Sequence, residues 1–158
     1  MNLEKLSGQL QTINEKFDRI NHGGCGKFAL ALGKKLEKEN VKFKYVLVSY
    51  ADRNIPTLLS SVRKFTEYTN TVEDTNENRV KNGFLIIHIL IYYKGKFIDS
   101  GGVYNNISDA GYDSSCRLSA ILEKSRLENW CNSSTWNTTF ADYQMGAIRR
   151  EINKIKLN

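Results

Sequence analysis

The run Phe84-Leu-Ile-Ile-His-Ile-Leu-Ile-Tyr-Tyr93, then Lys94-Gly95, then Lys96-Phe-Ile-Asp-Ser100, admits few folds. β-Branched and aromatic residues fill both arms, and a two-residue turn with glycine in second place joins them, the pattern of a tight β-hairpin. With Tyr93 opposite Lys96, Tyr92 faces Phe97, Leu90 faces Asp99 and His88 faces Gly101. Side chains alternate along a strand, so His88, Leu90, Tyr92, Phe97 and Asp99 share one face, and Asp99 is the diagonal neighbour of His88 with Cα atoms roughly 7 Å apart. A slip of one residue would separate them. Both are polar on an otherwise apolar face, where either without a partner would cost several kcal/mol, so the sequence predicts that they hydrogen-bond to each other.

Upstream, Cys25 lies in Asn21-His-Gly-Gly-Cys-Gly26, directly before Phe28, Ala29, Leu32 and Leu36, which recur at helical spacing. A thiol attacks as thiolate, and an ordinary cysteine with a pKa of about 8.5 is mostly protonated at neutral pH. The unpaired N–H groups and positive dipole end of a helix N-terminus favour the anion. Cys25 is therefore expected to be partly ionised and exposed, with Gly24 and Gly26 leaving room for a substrate backbone. The alternative is a buried structural cysteine at the start of a core helix.

The order Gly-Gly-Cys-Gly-x-Phe-Ala at a helix start, His on a strand, a short turn, and Phe-Ile-Asp-Ser-Gly-Gly resembles the papain-like cysteine hydrolase superfamily, in layout its transglutaminase-like and arylamine N-acetyltransferase-like branch. The resemblance covers about residues 21–104. It implies an α+β, papain-like fold with a nucleophile helix packed against an antiparallel sheet. It also implies a thiol-dependent hydrolase of peptidase or amidase type that works through a thioester: Cys25 is the nucleophile, His88 the general base and acid, Asp99 the orienting carboxylate. The papain-type Gln-Gly-x-Cys-Trp segment is missing. Asn21 and the Cys25 backbone N–H are then the expected oxyanion donors, and Tyr104 joins Gly24 and Gly26 as an expected substrate contact. An acyltransferase or crosslinking enzyme with the same triad, and a non-enzymatic binding module on the same scaffold, are the alternatives. No cofactor or metal is implied, and the expected partner is a peptide, amide or thioester substrate.

The 158 residues, 41% hydrophobic and 25% charged, suit a single domain 1–158. Within it, 1–20 reads as an N-terminal helix from the stripe Leu3, Leu6, Leu10, Ile13, Phe17 and Ile20, 21–104 as the catalytic core, and 105–158 as a C-terminal helical region. Val41 to Tyr50 reads as a strand, Pro56 to Phe65 as a short helix, Glu67 to Asn82 as a polar loop, Ser119 to Trp130 as a helix, and Phe140 to Ile155 as a terminal helix. No apolar run approaches the roughly 18 residues of a membrane span, and the N-terminus lacks a secretory pattern, so a cytoplasmic location is expected. On that ground Asn132-Ser-Ser and Asn137-Thr-Thr are read as chance matches to glycosylation acceptors. Three cysteines, an odd number without zinc-type spacing, fit reduced thiols, with Cys116 and Cys131 as packing residues. The net charge of +6, crowded over Lys34–Lys44 and the C-terminus, carries no aromatic-interleaved basic motif. It reads as a solvated surface, and nucleic acid is not the expected partner.

Overall fold

The computed structural model describes residues 1–17, 20, 24–50, 86–112, 116–132 and 142–157. The expected helix near Pro56, the polar loop 67–82, Asn21 and Phe140 lie outside the described residues.

The fold is α+β, with four described helices and a five-stranded open antiparallel sheet. Helix α1 (Leu3–Lys16) starts where the Asn2 side chain accepts from the Lys5 N–H at 3.0 Å, and it buries Leu6, Leu10 and Ile13. It stops four residues short of the expected end. Phe17 turns extended (φ −125°, ψ 104°) while its N–H still reaches the Ile13 carbonyl, and Ile20 enters the core from outside the helix. The apolar period marked burial through Ile20, but burial does not require helical backbone.

Helix α2 (Cys25–Lys38) buries Cys25, Phe28, Ala29, Leu32, Gly33 and Leu36, and ends where Asn40 takes a left-handed conformation (φ 55°). Strand β1 (Lys44–Tyr50) follows, then β2 (Ile86–Tyr93), β3 (Lys96–Asp99), β4 (Gly102–Tyr104) and β5 (Cys116–Leu122). Their order across the sheet is β4-β3-β2-β1-β5. Helices α3 (Lys124–Asn132) and α4 (Asp142–Lys154) complete the chain. Residues 116–122 correct the expected C-terminal helical region: Ser119 to Leu122 are strand, because Cys116–Leu122 fills the free edge of β1 from Tyr50↔Cys116 to Tyr45↔Leu122. The helix begins only at Lys124.

Leu6, Leu10, Phe28, Leu32, Ile148 and Ile152 pack with Tyr45, Leu47, Ile89, Ile91 and Ile98 into the main core. Val46, Val48, Leu90, Phe97 and Cys116 form a smaller core on alternate strand positions, covered by Tyr92, Tyr104, Ile107, Tyr112 and Leu118. The chain ends are tied together: the Asn2 N–H donates to the Leu157 carbonyl, and the Gln9 amide exchanges two hydrogen bonds with the Lys156 backbone. No helix among the described residues is long and apolar enough to cross a membrane.

Where α2 crosses β1, closeness depends on Gly33. A Cβ there would lie 2.8 Å from Tyr45 Cζ and 2.9 Å from Phe43 Cζ, two rings locked edge to face at 5.1 Å. The Tyr45 hydroxyl is buried in this contact without a hydrogen-bond partner among the described residues. Gly33→Ala is expected to destabilise the fold by about 1–3 kcal/mol through overpacking, although alanine is the better helix former by about 1 kcal/mol. Tyr45→Phe deletes an unsatisfied polar atom and should leave stability unchanged or raised. Urea unfolding of the two variants checks both expectations.

Candidate functional site

The hairpin positions two of the three site residues. Its pairs are Ile91↔Ile98, Tyr92↔Phe97 and Tyr93↔Lys96, the predicted register. Both turn residues have positive φ, 45° at Lys94 and 80° at Gly95, as a tight two-residue hairpin loop requires. His88 Nε2 donates to Asp99 Oδ2 at 2.8 Å, both side chains being buried.

The second carboxylate oxygen is also engaged. Asp99 Oδ1 accepts from the Gly101 N–H at 2.7 Å and from the Tyr104 hydroxyl at 3.3 Å. Asp99 pairs with Gly102 and Phe97 with Tyr104, so Tyr104 is a diagonal neighbour of Asp99 across β3–β4, as His88 is across β2–β3. Gly101 allows the approach: a Cβ there would lie 2.5 Å from the Tyr104 hydroxyl. Tyr104, expected to contact substrate, is thus placed as a partner of Asp99. Helix α1 anchors this segment, with the Val103 N–H donating to Ser7 Oγ at 3.1 Å and Ser100 Oγ to Asn14 Oδ1 at 2.9 Å. Gly102, at φ 144°, has Ser7 Oγ 2.8 Å from where a Cβ would sit.

Cys25 arrives from α2. Gly24 caps the helix without a side-chain bond, and the first intrahelical bond runs from the Phe28 N–H to the Gly24 carbonyl at 2.9 Å. The early N–H groups therefore have no helical acceptor. The Gly26 and Ile89 N–H groups both donate to the Cys25 sulfur, and the His88 ring interacts with it by charge and hydrogen bonding. Nε2 faces Asp99, which leaves Nδ1 as the other ring nitrogen; it is buried without a well-aligned hydrogen-bond partner among the described residues, and the ring acts on the sulfur first through charge. Among the described residues the Cys25 N–H has no backbone acceptor.

Two opposed effects set the charge state. Burial alone would raise the Cys25 thiol, but the His88 charge and the hydrogen bonds from His88, Ile89 and Gly26 outweigh it and hold the thiol below the ordinary cysteine range. Burial would likewise lower His88, yet the Cys25 charge and the bonds to Asp99 and Cys25 push the imidazole up to about 9. Both shifts run in the direction that favours a thiolate beside an imidazolium. By contrast burial, reinforced by the Cys25 charge, pushes Cys131 up to about 12.

Two features lay beyond the sequence reading. Tyr112 stacks on His88, ring centroids 5.3 Å apart and planes at 30°. It reaches the imidazole through a turn closed by its own N–H on the Ile107 carbonyl, and no spacing rule signals such a contact. The sheet also bulges on both sides of Val48: its β2 partners step from His88 to Ile86, and its β5 partners from Ala120 to Leu118. Bulges re-aim side chains beside them. The expected exposure of Cys25 is corrected, since Cys25, Cys116 and Cys131 are 5%, 9% and 4% exposed. Its sulfur lies between the N-terminal turn of α2 and the start of β2, which encloses it.

With exposure so similar, any difference between the thiols reports ionisation. Absorbance at 240 nm is expected to show one thiolate at pH 7 in the wild type and none in Cys25→Ala or His88→Ala, disappearing as acid protonates Cys25. At mildly acidic pH, limiting iodoacetamide should mark Cys25 before Cys131, and His88→Ala should remove that preference. Equal labelling of all cysteines would contradict the ion pair. Comparison of the chain with protein-family models, curated proteins and solved structures finds no match.

Proposed function

We propose that the protein is a thiol-dependent hydrolase of amide, ester or thioester bonds, with Cys25 as nucleophile, His88 as general acid and base and Asp99 as the orienting carboxylate, in a papain-like arrangement. The observation that carries this reading is the buried grouping of Cys25, His88 and Asp99, in which His88 Nε2 lies 2.8 Å from Asp99 Oδ2 and the thiol and imidazole shift each other toward the charged forms.

In the proposed cycle the Cys25 thiolate attacks the substrate carbonyl carbon, forming the S–C bond and an oxyanion that the Cys25 N–H faces. As the tetrahedral species collapses, the scissile bond breaks and His88 gives its proton to the leaving amine, alcohol or thiol. A water then loses a proton to His88 and attacks the thioester, the acid departs, and the thiolate is regenerated beside the imidazolium. Asp99 keeps Nε2 protonated and leaves Nδ1 to face the reacting atoms. If an amine replaces the water, the same cycle is acyl transfer. The enclosure of all three side chains favours a second reading, a structural ion-pair network in a binding module.

The two readings part in one experiment. In the catalytic reading an activated-ester or thioester probe adds its acyl mass to the wild type at Cys25, and Cys25→Ser, with unchanged thermal stability, captures none. In the structural reading the wild type never forms an adduct and the variant loses stability. Intact mass and thermal melts measure both. Asp99→Asn is expected to lower turnover roughly 10²–10⁴-fold with the fold retained. Turnover should rise with pH as Cys25 ionises and fall above about 9, as His88 loses the proton it gives the leaving group. A rate that keeps rising above that value would remove His88 as the acid.

A further inference from the structure

The face of α2 turned away from Cys25 carries a second feature. Lys27, Lys34, Lys35 and Lys38 of α2, Lys124 of α3 and Arg149 of α4 line one groove of about 700 Å³, in which Glu128 is the lone carboxylate among the described lining residues. We propose that this groove docks an acidic, extended peptide segment of a partner protein.

The charge is available. Lys35 is neutralised by Glu39 at 3.1 Å and Lys124 by Glu37 at 2.6 Å, whereas Lys34, Lys38 and Arg149 are exposed and form no ion pair among the described residues. Holding like charges along one groove works against the folded state, and an anionic occupant removes the repulsion. The shape suits a peptide strand. From Lys27 to Lys38 the helix rises about 16 Å, the length of roughly five extended residues. Leu30 and Ala31 supply a partly apolar floor, and the Asn129 and Asn153 amides stand on the walls where a peptide backbone needs donors and acceptors. None of the described lining residues is aromatic, so the stacking platforms that single-stranded nucleic acids use are missing from this set. Cys25 and Lys27 are two residues apart, about 200° around the helix, so docking and the thiol chemistry use opposite faces of one element. The proposal therefore stands whether or not Cys25 is a nucleophile.

The test is fluorescence anisotropy of the full chain with a fluorescein-labelled hexaglutamate peptide at low salt, against a hexaglutamine peptide and a labelled oligo-dT of equal charge. Saturable binding of hexaglutamate, absent for hexaglutamine and weakened by salt, is expected. The triple variant Lys34→Gln, Lys38→Gln, Arg149→Gln should weaken it at least tenfold, and Lys38→Glu alone more than Lys38→Gln alone. A control triple of equal charge change on exposed lysines elsewhere, Lys44→Gln, Lys94→Gln, Lys156→Gln, should change it less than threefold. Equal losses in the two triples would show attraction by net charge alone and overturn the proposal. So would the absence of saturable binding, or tighter binding of oligo-dT than of hexaglutamate.

Discussion

A carboxylate removed from water must have both oxygens occupied, and much of this structure is arranged around meeting that demand at Asp99. Oδ2 takes His88, and Oδ1 takes the Gly101 N–H and the Tyr104 hydroxyl. Each partner comes from a different part of the hairpin ladder, so β2, β3 and β4 are held in register by one side chain as well as by their backbones. The glycines that follow Asp99 are required by contact: one clears the way for a phenol, the other for helix α1. The segment Asp99-Ser-Gly-Gly-Val-Tyr104 therefore specifies a carboxylate, its support and its anchorage in six residues.

That demand also explains the ion pair. An imidazole fixed by Asp99 presents its remaining nitrogen to whatever lies beyond β2, and the N-terminus of α2 places a sulfur there. Two N–H groups and a neighbouring cation then stabilise the anion against the cost of burial. Take away the carboxylate and the imidazole keeps the Cys25 charge, the largest influence raising it, but loses the hydrogen bond that fixes its orientation toward the sulfur.

The hairpin was legible because its information is local. A turn dipeptide sets the register, the register sets the faces, and two polar residues on one apolar face must meet. Helix α2 was legible for the same reason, through its period and its glycines. The strand Cys116–Leu122 was not, since Leu118, Ile121 and Leu122 suit either a helix or a strand, and only the vacant edge of β1, distant in sequence, decides between them. Tyr112 was invisible because its position depends on a turn closing over the sheet, and the end of α1 because apolar spacing records what is buried without recording the backbone that buries it.

The alternation of faces along the hairpin limits how a gene for this chain can drift in length. One residue added within β2 after His88, or within β3 before Asp99, rotates that side chain to the opposite face of the sheet and breaks its partnership, however conservative the added residue. The turn at Lys94-Gly95 lies outside the paired arms, so lengthening there leaves both faces as they are. Insertions and deletions compatible with the site should accordingly collect at this turn and be missing from the arms beside it, a length record that related chains would carry even after their other residues had diverged.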